Sequence, residues 1–514
     1  MNIQDRATRL LGEADRLAHE QGWADTPAGA QLRLCTQRFA EPLRIALAGT
    51  LKSGKSTLLN ALVGDELAPS NATECTKFVT WYRHGEVPAV TAWHLNGLHA
   101  PIPVSRSGGH LDFDLGERSD GLDRIDVAWP TKELKRITVI DTPGTASLNA
   151  EISARTMRLL APEDGVSGAD AVLYLMRTVG STDLNVLTEL GQSAAGPDRS
   201  VGAGPLGVIG VISRADEIGV GRLDAMLSAK EIAAGYATQV ARTGLCQAVV
   251  PVAGLLALTA RTLRQQDFAD LQVLASVPGD ELQVAMLSVD RFSRESGAVP
   301  LPADSRRRLV LRFGLFGIRI ALALLQSGVR DAATLASELL TRSGLTELQS
   351  VINVQFAQRS GQLKAHSAMS ALALILHGCQ TPQARQLQRA VSELLCDTHG
   401  FEELRLLGLL RARSSALSES EQVEVTRLIG GYGVGADDRL GLDPFELMTS
   451  GPAAARAAVQ RWRAAAGHPL NDAFSRRLCL AAARSADGLL ADFADSQRAA
   501  DRARRPLRPI ASDS

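Results

Sequence analysis

The octet Gly49-Thr50-Leu51-Lys52-Ser53-Gly54-Lys55-Ser56 constrains this chain more than any other stretch. The apolar run Arg44 to Ala48 before it reads as a buried strand, and Leu58 to Val63 after it reads as a helix. G-x-x-x-x-G-K-S thus stands between a strand and a helix, the setting in which it cradles phosphate. Gly49 and Gly54 permit a turn that points successive N–H groups inward, and the helix N-terminus adds positive potential. Lys55 is expected to reach the terminal phosphates and the Ser56 hydroxyl to ligate Mg²⁺. Ser53 and Thr57 belong to the same nucleotide-binding set.

A length of 514 residues predicts two or three domains, and 45% apolar content is enough to bury a sizeable core. The net charge of −1 argues against a dedicated nucleic-acid binder. Six cysteines without C-x-x-C pairing read as reduced thiols of a cytosolic protein. The N-terminus shows no basic region followed by an apolar one, so no signal peptide is expected. Phe313 to Leu325 is the best membrane-span candidate, but it is short and contains Arg319. Membrane contact is therefore expected to be peripheral.

Residues 2–40 predict two amphipathic helices, with Ile3, Ala7, Leu10, Ala14 and Leu17 on one stripe and Leu32, Cys35 and Phe39 on the other. They pack either on the flank of the nucleotide domain or in a separate bundle. After the phosphate loop, a polar stretch ends in a strand from Phe78 to Tyr82. A GTPase needs a Thr in such a loop to complete the Mg²⁺ shell and sense the γ-phosphate. Thr76 is the first candidate and Thr73 the second. Short β-like runs follow, among them Ile102 to Val104 and Ile125 to Trp129.

The strand Ile137 to Ile140 leads into Asp141-Thr142-Pro143-Gly144, where Asp141 would hold Mg²⁺ through water and the Gly144 N–H would meet the γ-phosphate. Two more buried strands follow, and the second ends in Ser213-Arg214-Ala215-Asp216. Asp216 can accept from the guanine ring N–H and amine, with Arg214 lying flat on the base, although a strand-end Asp also caps helices. A last strand ends at Ala253-Gly254, where a backbone N–H can touch the guanine oxygen. Motifs at strand C-termini, with helices between the strands, predict a doubly wound, mainly parallel α/β domain.

From about residue 280 the pattern is helical. Leu345, Leu348, Ile352, Phe356 and Leu363 predict one helix running towards Leu376, interrupted at Gly361 by a hinge or a tolerated glycine. Further helices are expected over 384–397, 400–412, 419–429, 452–466 and 471–504. Between them Gly430 to Ser450 is Gly-rich and carries Tyr432, Leu440, Leu442, Phe445, Leu447 and Met448, a candidate apolar membrane loop. Between Arg456 and Arg508 eleven Arg face five Asp. That is either a basic patch for anionic lipid or a solvated face.

The phosphate loop, Ala72 to Thr76, Ser213 to Gly219 and Gln247 to Gln265, continuing through Phe401 to Leu407 and His468 to Asp472, resemble a bacterial dynamin-like GTPase over nearly the whole chain. The resemblance implies a GTPase domain over 41–357 and a helical neck and trunk over 358–514, joined by helices from 1–40. It implies hydrolysis of GTP to GDP with Mg²⁺, self-association through the GTPase head and work on anionic lipid at the inner face of the plasma membrane. A related dynamin-like chain is a candidate partner. A GTP-regulated switch or scaffold that binds a partner protein through the helical part is the alternative. The chain departs from eukaryotic dynamins at Leu51-Lys52, where they carry Gln-Ser. Lys52 is either a cation acting in cis, as in guanylate-binding proteins, or a solvated loop lysine.

Overall fold

The computed structural model describes residues 3–68, 78–107, 110–112, 121–144, 156–160, 167–195, 207–241, 246–294, 299–379, 381–397, 399–412 and 415–504. They form two compact units, Met1–Cys396 and Asp397–Ser514.

Among its described residues the first unit has eleven strands: β1 (Leu43–Gly49), β2 (Val79–His84), β3 (Ala89–His94), β4 (His99–Ile102), β5 (Ser105–Ser107), β6 (His110–Asp112), β7 (Leu122–Trp129), β8 (Ile137–Asp141), β9 (Ala171–Met176), β10 (Gly207–Ser213) and β11 (Cys246–Val252). Nine make one sheet in the order β11-β10-β9-β1-β8-β2-β7-β3-β4, and β5 and β6 pair separately. From β11 to β8 every pairing is parallel; beyond β8 the β2–β8, β7–β3 and β3–β4 pairs are antiparallel. β9 and β10 are buried along their whole length, as strands covered on both faces must be. One covering core joins Val172, Tyr174 and Ile212 to Leu187 and Leu190 of the helix Ser181–Ala195. The strand expected over Ile102 to Val104 instead ends at Ile102, where its pairing with Val90 stops at Pro103.

A second core of the same unit is helical, gathering Leu256, Leu271, Phe292, Phe313, Ile318 and Leu339. Its central helix, Ala303–Gln326, is long and apolar enough to cross a membrane, yet half of its most apolar window is buried inside this core. A kink at Gly314 lets it wrap the neighbouring helices.

The N-terminal helices α1 (Ile3–Glu20) and α2 (Pro27–Ala40) form as the apolar spacing requires, with Thr26 capping α2 and Pro27 at its first position. Both pack on the helix Ser360–His377, which also touches β1. These contacts carry the first unit past the expected boundary at 357/358, to Cys396. The single helix expected from Leu345 to Leu376 is broken. Leu345–Ile352 passes into a π-helical turn, Asn353–Ala357, before Ser360–His377 begins. Gly361 lies after that break, where a Cβ would come 2.7 Å from the Gln4 amide, so its smallness admits α1.

In the second unit the helices Pro444–Ala466 and Ala473–Arg504 pack along each other around Trp462, Leu478, Ala482 and Leu489. Arg439 clamps the buried Glu403 through both carboxylate oxygens, at 2.6 and 3.0 Å. Gly430 to Ser450 is not one loop. A short helix spans Ala436–Leu440, and an Asp443/Glu446 capping box starts the next helix at Pro444 rather than near 452. Leu440 is consequently buried and Leu442 and Leu447 half-buried, while Tyr432, Phe445 and Met448 remain exposed.

Candidate functional site

β1 delivers the chain to Gly49 against β9, so closely that a Cβ at Gly49 would lie 2.1 Å from the Leu175 carbonyl oxygen. The loop then turns through Lys52, at φ 60°, and Gly54, at φ 89°, before α3 (Lys55–Val63) begins. The Lys55 ammonium folds back on the loop and donates to the Gly49 and Thr50 carbonyls at 3.1 and 3.0 Å. Burial holds its pKa below the ordinary lysine value, and Asp141 partly offsets that. Lys52 is exposed.

Asp141 closes β8 beside β1, its residue pairing in register with Leu47. The Ser56 hydroxyl donates to Asp141 Oδ2 at 2.9 Å. Burial raises the Asp141 carboxyl above its ordinary range, against the pull of Lys55 and Ser56. Its Oδ1 is buried with no hydrogen-bond partner among the described residues. An orphaned carboxylate oxygen beside a hydroxyl is a donor set that suits a hard cation, so Ser56 and Asp141 fit Mg²⁺. The Thr142 hydroxyl donates to the Leu47 carbonyl at 2.8 Å and fixes this turn to β1. A Cβ at Gly144 would meet the Leu51 nitrogen at 2.9 Å, so the two phosphate-facing loops lie against each other.

The base-side residues sit at the same sheet edge. Ser213 closes β10 and donates to the Met176 carbonyl at 3.3 Å. Arg214 adopts left-handed backbone at φ 53° and pairs with Glu217 at 2.7 Å, which also binds Arg177 at 2.6 Å. Asp216, half-buried, has its carboxyl raised chiefly by burial and further by Glu217. The Ala253 N–H is committed to the Ser343 carbonyl at 2.9 Å. Of the pair Ala253-Gly254, the N–H that stays at an open helix start is that of Gly254, the first residue of the helix Gly254–Arg261. A Cβ on Gly254 would lie 3.7 Å from Thr57 Cγ2, so base end and phosphate end meet over α3.

Thr76 and Thr73 lie outside the described residues. Gly49, Lys52, Ser53, Gly54, Lys55, Ser56, Thr57, Asp141, Gly144, Ser213, Arg214, Asp216, Ala253 and Gly254 all fall on the loops at the C-terminal edge of β1, β8, β10 and β11 or on the helices those loops open. Two contributors were not legible. Asn60, buried within α3, receives the Leu67 and Ala68 N–H groups at 2.9 and 2.7 Å and shapes the exit from that helix. Its polarity inside an apolar helix is the signal that marks it. Ser343 holds Ala253 from far along the chain, and no local pattern announces it.

A strand-edge phosphate loop, a carboxylate beside its serine and a base-side Asp define a GTPase-type nucleotide site on a doubly wound sheet. Residues 45–179 match the Dynamin family. The isoniazid-induced protein IniC of Mycobacterium tuberculosis, from strains CDC 1551 / Oshkosh and H37Rv, is 52% identical over 465 residues, 90% of this chain and 93% of its own. The chain belongs to the dynamin family, among the bacterial dynamin-like proteins, and carries its GTPase domain. A bacterial dynamin-like protein of Nostoc punctiforme is 30% identical over 147 residues, 26% of this chain and 20% of its own. A solved structure of an oligomerised bacterial dynamin pair covers 97% of this chain and 76% of its own at 13% identity and a TM-score of 0.32.

Proposed function

We propose that this chain binds GTP with Mg²⁺ and hydrolyses it to GDP and phosphate, coupling turnover to self-association and peripheral work on anionic membrane at the cytoplasmic face. The observation that carries the nucleotide reading is the Ser56–Asp141 contact at 2.9 Å beneath the phosphate loop, with Asp141 Oδ1 left without a partner among the described residues. Mg²⁺ held by these two residues would neutralise phosphate charge. Lys55 and the N–H groups at the start of α3 would position the γ-phosphate, and Asp216 and the Gly254 N–H would select guanine. Chemistry of this kind asks the protein for positioning and charge, which these groups supply.

A GTP-regulated switch or scaffold is favoured by one feature, the apolar Leu51 where eukaryotic dynamins place a water-positioning Gln. Single-turnover phosphate release from the full chain separates the readings. Release from GTP that needs Mg²⁺, is far slower from ATP and is lost in Lys55→Ala supports hydrolysis. GTP binding without release favours the switch. Equal use of ATP overturns the guanine assignment.

A further inference from the structure

At the end of β1 opposite the phosphate loop, a cavity of about 640 Å³ opens between α2, the helix Ser360–His377 and the sheet. Its lining holds four cations, Arg38, Arg44, Arg124 and Lys364, against two carboxylates, Glu41 and Asp170. Three of the cations are held in place. Arg38 pairs with Asp170 at 3.0 Å, Arg44 with Glu41 at 2.6 Å, and Arg124 with Asp126 at 3.0 Å. Arg44 and Arg124 also lie over the Trp81 ring, at 4.6 and 5.0 Å from its centre. Lys364 is different. Its ammonium stands 5.7 Å from the Phe39 ring and has no hydrogen-bonding or ion-pairing partner among the described residues.

The rest of the lining is mainly apolar, with Gln31, Gln37 and Ser367 as its uncharged polar members. Lys364 meets Phe39 and the Ala368 carbonyl meets Cys35, so α2 and Ser360–His377 run antiparallel. Leu34 and Leu374, both exposed, therefore line the end away from Lys364. Ten residues of helix separate Lys364 from Leu374, about 15 Å at 1.5 Å per residue. The volume is that of a small-molecule site, and its lining runs from an end with excess positive charge to a mainly apolar end that includes Gln31.

We propose that this cavity binds an amphiphilic anion, a carboxylate or phosphate head on an apolar body, with the head at Lys364 and the body running towards Leu34 and Leu374. Burial holds both Lys364 and Arg44 below their ordinary pKa values, Arg38 depresses Arg44 further, and Glu41 and Asp170 offset this only in part. An arriving anion relieves that strain. The assignment is independent of the nucleotide site.

Calorimetry with decanoate below its micelle concentration, beside decyltrimethylammonium and phosphatidylglycerol vesicles, tests it on the full chain. The difference in tryptophan fluorescence between the full chain and its Trp81→Phe variant isolates Trp81 among the five tryptophans and gives a second readout. Decanoate is expected to bind one-to-one and at least about tenfold more tightly than the cationic amphiphile. Lys364→Gln should weaken decanoate about tenfold, and Ala371→Phe, which fills the cavity without removing charge, should abolish it. GTP affinity serves as the folding control and stays unchanged in both variants. Vesicle binding that both variants abolish, without a response to decanoate, assigns the anion to a bilayer lipid rather than a free one. Equal affinity for both amphiphiles, indifference to both variants, or silence in every arm overturns the proposal.

Discussion

Lys55 and Asp141 are each disfavoured in their charged forms by the same enclosed site, and the consequences run in opposite directions with pH. The Asp141 carboxyl titrates above the ordinary 3.8, so the folded chain keeps a proton that the unfolded chain has released. Its contribution to stability therefore falls as pH rises from 3.8 through the folded value. Lys55 titrates below the ordinary 10.5, so its contribution recovers as pH rises through the folded value towards 10.5. Cation binding must displace the Asp141 proton. Mg²⁺-dependent GTP affinity is thus expected to weaken on acidification beginning above pH 3.8, as fluorescent-nucleotide titration would read. Asp141→Asn should raise the melting point of the nucleotide-free protein while lowering that affinity; a lower melting point would show that the carboxylate stabilises the fold.

Asp216→Asn should weaken GTP binding by roughly 10²-fold and improve xanthosine triphosphate binding, because the hydrogen-bond polarity inverts. Unchanged GTP affinity would reduce Asp216 to a helix residue. Lys52, exposed on left-handed backbone at φ 60°, has no hydrogen-bonding or ion-pairing partner among the described residues. If it supplies the cation, Lys52→Ala lowers kcat on the order of 10² while nucleotide affinity holds, and wild-type turnover ignores exchange of K⁺ for Na⁺. The places of Asp141 at the end of β8 and of Asp216 just after β10 were legible because each is announced by its immediate neighbours. Asn60 and Ser343 were not, because their roles depend on partners that the fold brings to them.

Elements divide along the same line. Strands buried on both faces, such as β9 and β10, are unmistakable as apolar runs, and both N-terminal helices show in their spacing. The break at Asn353–Ala357 is invisible to periodicity, since a π turn shifts the apolar face by a single residue. The helix start at Pro444 hides behind glycines, although Asp443 and Glu446 spell its cap. The phosphate loop offers a sharp test at this scale. Gly49→Ala forces a Cβ to 2.1 Å from a β9 carbonyl and should cost more than about 3 kcal/mol in denaturant unfolding. Gly54→Ala meets nothing within 4 Å and should cost about 1 kcal/mol through its positive φ alone. Equal losses would mean that the β1–β9 contact is slack.

For the whole molecule, composition and motif order foretell a sheet-based unit and a helical one, but charge counting misleads. Arg461 and Arg477 are in ion pairs with Glu424 and Glu402, which lie outside the 456–508 stretch, while Arg463 and Arg498 pair with Asp487 and Asp495 within it. The basic excess is accordingly smaller at the surface than in the sequence. Exposed apolar side chains carry the membrane expectation instead, with Phe445 76% and Met448 85% exposed at the start of one long helix. The double variant Phe445→Asp, Met448→Asp should reduce co-sedimentation with anionic liposomes several-fold and leave GTP turnover in solution unaltered. Liposome binding equal to wild type would move the contact elsewhere.

The bond from the Ala253 N–H to the Ser343 carbonyl has a mechanical meaning. Ser343 stands two residues ahead of the helix Leu345–Ile352, which leads through the π turn to Ser360–His377. Leu345–Ile352 also packs against β11 and α3, and Ser360–His377 against β1, so a tug on that helical train reaches the loops after β11 and β1 together. Load applied through the helices would therefore bear on nucleotide residence and bond cleavage together, making both force-sensitive quantities.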